Sequence, residues 1–382
     1  MASNTQALVQ SNIVAGAMHV SQQPTAAAVV FSPCGKLVAW LERVKDRATL
    51  KVESRCTGQQ VFSCALPRPG KRRAALDRAN KRRTIRWSHD STWLSLTCVR
   101  GVFAADLASG VLKRLSCPAG NVYERCSWAP SALYFAVTQD PPESESLLSL
   151  YQISGSELHL AQQVTRPHFQ VVVWAADSKV LAIKMFEDIC ILKVGQQDQL
   201  HMPFPALSYK SEIAWSPPSW DQPVLLCISR RGTATFIDCE AAQKGRCEDT
   251  LRGERSHNVL WGEHGVVVCT DQHIWLFNVC SSSGRLELEF RLHTKIAHNR
   301  AHVLSPDQVH LCVVQLSQEA SGKLYGQTLV ILNVVSGDQA LITLPERLTS
   351  DYQPSWTSSG FSLAMPLVMG KRFLYHMVTY VF

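Results

Sequence analysis

A short pattern recurs along the chain: a large apolar residue, a turn of Ser, Pro, Gly or Asp, then an apolar run. The copies begin at Phe31, Trp87, Trp128, Trp174, Trp215, Trp261, Leu304 and Trp356. WSHDSTWLSL at Trp87 and WAADSKVLAI at Trp174 show its form. Successive copies are separated by 56, 41, 46, 41, 46, 43 and 52 residues. Such self-similarity constrains a fold more than composition does. Each repeat must be one supersecondary unit that hides its apolar faces on its neighbours. A period in the forties suits four short strands and their turns.

A second feature recurs in phase with the first. After the third strand of a repeat comes a polar residue, two others, a Ser or Thr, and a Gly. Asp106 to Gly110 and Asn333 to Gly337 are the clearest copies; Ser54 to Gly58 matches loosely, and Asn278 to Gly284 carries two extra residues. The glycine supplies the positive φ of a tight hairpin, and the polar side chains bond to the turn backbone. The runs between turns, such as Val180 to Ile183 and Leu329 to Leu332, have strand length and composition. The expected fold is all-β: a single β-propeller over residues 1–382, with about eight four-stranded blades. Seven is the alternative if the copy at Leu304 or Trp356 is not a blade.

The anchor at Phe31 to Lys36 and the turn at Asp106 to Gly110 resemble those of the tryptophan–aspartate (WD) repeat propellers. The resemblance covers about residues 24 to 382. The Trp-Asp dipeptide itself is missing where such repeats carry it; those places read Ala105-Asp106, Ile237-Asp238, Phe277-Asn278 and Leu332-Asn333. The one Trp-Asp, at Trp220 and Asp221, is out of phase. Two strands follow Trp356, so the last blade lacks its outermost strand. The run 12–20 precedes the first anchor and is expected to complete that blade and close the ring.

Charge is concentrated. The chain carries +7 overall, yet nine basic residues and one acid (Asp77) fall between Arg68 and Arg86, so the remainder is close to neutral. This basic insertion, 67–83, occupies the longest spacing and is compatible with a short exposed helix. Lys71, Arg72, Arg73, Arg78, Lys81, Arg82 and Arg83 are the candidate partner-binding residues. Three readings stay open: a solvated loop, a nuclear import signal in two clusters, and an arm for RNA or another polyanion. An acidic loop insertion, 138–147, is expected on the same face as the basic run.

The chemistry of an enzyme is not legible. The chain has no nucleophile elbow, phosphate loop, dinucleotide fingerprint or H-E-x-x-H motif. His298 and His302 are four apart but lie in a loop-and-strand pattern, so they are not read as metal ligands. His264, His273 and His293 read as surface or internally satisfied histidines. Six tryptophans occupy anchors and are expected to pack between blades; Trp93 and Trp220 lie off-phase and are candidates for surface contacts. Thirteen cysteines form no C-x-x-C pair and are read as reduced, buried thiols rather than a disulfide scaffold. No apolar run approaches the roughly 20 residues of a spanning helix, and the first twenty residues have no secretory pattern. The expectation is a cytoplasmic or nuclear scaffold that binds one or more proteins, with no enzyme activity, cofactor or membrane. The alternative is a nucleic-acid- or ribonucleoprotein-associated propeller acting through Lys71 to Arg83.

Overall fold

The computed structural model describes residues 27–379 apart from 45–46, 55, 68–83, 99–100, 116–122, 141–144, 167–168, 187, 197–198, 204–210, 221, 230–231, 239–242, 250, 252–253, 255, 271–272, 281–284, 294–301, 306, 319–323, 345–354, 357–361 and 370–371. The described residues form strands and turns without a helix. Seven four-stranded sheets and one three-stranded sheet result, each with its strands in sequence order and every pairing antiparallel. Each of the repeated anchors ends, or nearly ends, the first strand of its own sheet.

The first sheet holds β1 (Ala27–Phe31), β2 (Leu37–Val44), β3 (Arg47–Ser54) and β4 (Gln60–Ala65). Five sheets follow, within the compact unit Pro69–His293. They are β5 (Thr84–Trp87), β6 (Trp93–Cys98), β7 (Gly101–Asp106) and β8 (Val111–Arg114); then β9 (Tyr123–Trp128), β10 (Tyr134–Asp140), β11 (Ser146–Ser154) and β12 (Glu157–Arg166). Next come β13 (Val171–Trp174), β14 (Val180–Lys184), β15 (Asp188–Lys193) and β16 (Gln199–Pro203), followed by β17 (Glu212–Trp215), β18 (Val224–Ile228), β19 (Thr233–Asp238) and β20 (Gln243–Asp249). The fifth is β21 (Ser256–Gly262), β22 (Gly265–Thr270), β23 (His273–Cys280) and β24 (Arg285–His293). The other compact unit, Met1–Arg68 with Thr294–Phe382, holds the β1–β4 sheet and two more. These are β25 (His302–Leu304), β26 (His310–Gln318), β27 (Leu324–Asn333) and β28 (Gln339–Leu344), then β29 (Ser355–Trp356), β30 (Ser362–Met369) and β31 (Arg372–Thr379). Both weak anchors, Leu304 and Trp356, therefore start sheets. The last sheet has three strands, as its sequence predicts; the run 12–20 expected beside it lies outside the described residues.

The anchor turn explains why these sequences make hairpins. Its serine is buried and bonds across the turn: the amides of Leu37, Trp93, Val224 and His310 donate to the hydroxyls of Ser32, Ser88, Ser216 and Ser305 at 2.9–3.0 Å. An aspartate two positions on locks the loop. Asp90 accepts from the Ser88 hydroxyl (2.6 Å) and the Thr92 amide (3.1 Å). Burial pushes its carboxyl up, but these bonds prevail and hold it below its ordinary value. At the third-to-fourth-strand turn, Asp106 accepts from the Ala108 amide and the Ser109 hydroxyl, and Gly110 takes φ 71°.

Alternation then zips neighbouring sheets together. On β14, Val180 and Ala182 pack with Ile213, Trp215 and Leu225 of the following sheet. Leu181 and Ile183 pack with Ala136, Leu148 and Leu150 of the preceding one. A strand buried on both faces needs this near-continuous apolar run. The first strands β5, β9, β13, β17 and β21 lie side by side in turn. Three anchors are clamped alike. The indole N–H of Trp128 donates to the Arg86 carbonyl (3.2 Å), that of Trp174 to Ser127 (3.3 Å) and that of Trp215 to Val173 (2.9 Å). Each acceptor immediately precedes the previous anchor, so one bond is repeated from sheet to sheet and satisfies the three indole donors.

Two expectations about tryptophan change. Trp93 is buried, inside its sheet's apolar cluster. Trp220 packs edge-on against Trp261, ring centroids 5.0 Å apart, beside the cluster around Phe236. Both are structural because the anchor turns fold back onto the sheet. The acidic insertion is shorter than 138–147: Thr138 and Gln139 pair with Leu148 and Leu147, which carries β10 and β11 into that stretch.

Candidate functional site

The end of the sheets where the first strands begin gathers the side chains that the repeat does not consume. Three residues before each anchor stand Thr84, Arg125, Val171 and Glu212, opposite Thr97, Thr138, Lys184 and Ile228 on the second strands. A cleft of about 190 Å³ opens here, lined by Arg86, Arg125, Thr138, Phe169, Gln170 and Val171 among others. Its walls come from the first strands of three successive sheets.

The polar groups in and beside this cleft are linked. Arg125 donates from Nη1 to the Gln170 carbonyl. The Gln170 amide donates to the Lys184 carbonyl (2.9 Å). Lys184, only 1% exposed, donates from Nζ to the Ser211 carbonyl at the head of β17. Burial lowers the Lys184 pKa, against the pull of Glu212. Burial likewise raises Glu212 from 4.5 to about 7, while Lys184 draws it down. Arg86 differs: its side chain is exposed and has no hydrogen-bond or ion-pair partner among the described residues. Two exposed apolar side chains belong to this end of the sheet, and Val171 lines the cleft. Val171 is 37% exposed, and Phe186, two residues beyond Lys184, is 57% exposed.

Two other polar clusters belong to the scaffold. Glu254 binds His273 Nδ1 (2.8 Å), the Thr270 hydroxyl (2.6 Å) and the Trp275 indole (3.2 Å). Burial pushes its carboxyl up, but those three bonds prevail and lower it. The cluster ties the segment before β21 to β22 and β23, so His273 is internally satisfied as its sequence suggests. Ser305, Asp307 and His310 have the residue types of a hydrolytic triad. Yet the Ser305 hydroxyl donates to Asp307 and accepts the His310 amide, the bonding that Ser88, Asp90 and Trp93 show in their own turn. Among the described residues no three or more His, Cys, Asp or Glu gather as a metal site, and the described cysteines are free thiols, six of them buried.

The seven basic residues Lys71, Arg72, Arg73, Arg78, Lys81, Arg82 and Arg83 lie outside the described residues. Their run ends one residue before Thr84, where β5 begins. Sequence reading therefore reached the strand that carries Arg86 but stopped short of the cleft. Arg86 was visible as the last cation of the cluster. Arg125 and Gln170 carry no signal, because only register brings them together.

No family profile matches the chain, and no curated protein does. Solved structures do. The β-propeller domain of Cps50 (Swd1) from Myceliophteria thermophila matches at a TM-score of 0.51 and 13% identity, over 94% of this chain and 98% of that one. The WD40 domain of SCAP from fission yeast matches at 0.52 and 11%, over 94% and 96%.

The fold is a β-propeller of the kind those two domains show.

A further match, dihydro-heme d1 dehydrogenase NirN in complex with DHE, has a TM-score of 0.56 and 13% identity. It covers 83% of the propeller described here and 66% of that longer chain. At such identities the likeness is one of fold. Within the unit Pro69–His293 the first strands of successive sheets neighbour one another, and the cleft opens where they begin. Among its described residues no helix is long and apolar enough to cross a membrane.

Proposed function

We propose that this propeller is a non-enzymatic protein-interaction scaffold, one subunit of a larger assembly in the cytoplasm or nucleus. The observation that carries the reading is the division of labour among its polar side chains. The residues that resemble catalytic groups are spent on turns and on ties between strands. The unspent cation Arg86 and the exposed Val171 line one cleft where the first strands begin, and the exposed Phe186 lies at the same end of Val171's sheet. Rigid sheets that present uneven loops and strand ends suit recognition rather than chemistry. Exposed aromatic and arginine side chains are the usual composition of interface anchors.

A second reading is favoured by the nine cations between Arg68 and Arg86. It is RNA or ribonucleoprotein association through Lys71, Arg72, Arg73, Arg78, Lys81, Arg82 and Arg83. Affinity of that kind comes from counterion release and falls steeply with salt. An affinity pull-down from cell extract at low and high salt separates the two readings. It compares the intact chain with one carrying Ser at Lys71, Arg72, Arg73, Lys81, Arg82 and Arg83. A protein partner that survives salt and substitution supports the scaffold. Recovery of RNA that disappears with either replaces it.

A further inference from the structure

We propose that the cleft between Arg86 and Arg125 is a docking site for a short acidic segment of a partner protein. An Asp or Glu would reach the two guanidinia, and an adjacent apolar side chain would rest on Val171 and Phe186. The inference rests on the scaffold reading and names the chemistry of its partner.

Four features select that occupant. The cleft is cationic, since Arg86 and Arg125 approach it from neighbouring sheets and Arg86 has no partner of its own among the described residues. Guanidinium binds carboxylate through paired, charge-assisted bonds. Gln170 also lines the cleft, and its buried side-chain carbonyl oxygen has no hydrogen-bond partner among the described residues. A buried acceptor asks for an N–H, which a peptide backbone supplies beside its carboxylate and a phosphodiester does not. The volume of about 190 Å³ is smaller than the roughly 300 Å³ at which small-molecule sites begin, so it suits one side chain better than a nucleotide. Val171 and Phe186 stand at one end of the same sheet, since Val171 pairs with Lys184. They give the acid's neighbour an apolar seat. The basic run leads into the strand that carries Arg86, so an approaching acidic segment is steered toward this end.

The test uses the full chain and fluorescence anisotropy. The probe is a fluorescein-labelled peptide of Glu-Asp-Leu repeats. A Gln-Asn-Leu counterpart and an oligouridylate serve as comparisons. The acidic peptide should bind saturably. Arg86→Ser should weaken it about tenfold, the loss of one charge-assisted contact, and Phe186→Ser by about fivefold. Both residues are exposed, so neither change should disturb folding, which matched thermal melts would verify. Arg125→Lys should retain part of the affinity, because it keeps charge but loses the planar fork.

The proposal is overturned if Arg86→Ser and Phe186→Ser bind the acidic peptide as the parent does. It is also overturned if the neutral peptide binds equally, if only the Lys71 to Arg83 serine variant loses affinity, or if oligouridylate binds more tightly and displaces the peptide. The scaffold reading fails separately. A salt-resistant partner still captured by Arg86→Ser removes the cleft and keeps the scaffold, whereas no salt-resistant partner on the intact chain removes the scaffold.

Discussion

Replacing Glu212 with Gln should flatten the pH dependence of stability on the acid side of neutrality. The folded carboxyl titrates at about 7 against an ordinary 4.5, with burial the cause. Between those values the native chain holds a proton that the unfolded chain has released. The stability this proton linkage contributes is complete below about 4.5 and is lost as pH rises through about 7. At about 1.4 kcal/mol for each pH unit of the interval, the ceiling is about 3 kcal/mol. The carboxyl keeps some contact with water, which reduces the working magnitude to about 2 kcal/mol. Lys184 opposes the effect by favouring the ionised form. Lys184→Met should therefore destabilise the chain by about 3 kcal/mol near neutral pH, where it strands a partly buried carboxylate, and Glu212→Gln added to it should recover most of that loss. The assay is urea unfolding at constant ionic strength, at about pH 5 and about pH 7.5, with the slope on denaturant shared between variants. Parallel pH profiles for the parent chain and Glu212→Gln would refute the reasoning.

Further substitutions test the repeat's architecture. Gly265→Ala places a Cβ 2.5 Å from the Phe277 carbonyl oxygen at φ +127°; urea unfolding should record a loss above about 3 kcal/mol, and a change below about 1 kcal/mol would contradict the geometry. Trp215→Phe removes the indole donor from the Val173 carbonyl and should cost about 1–3 kcal/mol in the same measurement, more than Trp174→Phe, whose bond is longer. Thermal unfolding supplies another test. Ser178, at φ 60°, should gain nothing as Gly, because its hydroxyl holds the amide and hydroxyl of Ser131 at 2.8 Å.

The repeat was legible because its grammar is local. An anchor, a Ser-x-Asp turn and an apolar run each act within about ten residues, so spacing alone placed the first strand of every described sheet. The chemistry at the strand ends was not legible, for a physical reason. Lys184 ends the run Val180 to Ile183, where a lysine reads as the solvated end of a strand. Only the neighbouring sheet, by presenting the Ser211 carbonyl and Glu212, makes it a buried cation. Its one sequence signal is the apolar pair Met185 and Phe186 that follows, which keeps the run going past the charge. Trp93 and Trp220 misled for the converse reason. Off-phase large aromatics looked like surface anchors, but a turn that folds back onto its sheet buries them. Glu254 and His273 stand nineteen residues apart, with no motif to link them before β22 and β23 are paired.

The same register that sets the first strands side by side also sorts their side chains. At Trp128, Trp174 and Trp215 the repeats agree, because each indole reaches one carbonyl of the preceding sheet. Three residues earlier that demand is absent, since the strand has only begun. There four successive sheets carry a hydroxyl, a guanidinium, an isopropyl and a carboxyl: Thr84, Arg125, Val171 and Glu212. A repeat constrained only by packing would have no reason to differ so sharply at one position across adjacent strands. Because those strands lie side by side, the differences form a surface with a cationic part, an apolar part and a carboxyl whose charge changes near neutral pH. Such a surface discriminates by arrangement rather than by any single residue. Its loss of specificity on exchanging Arg125 and Val171 between their two strands should exceed the sum of the single exchanges when measured against the acidic peptide.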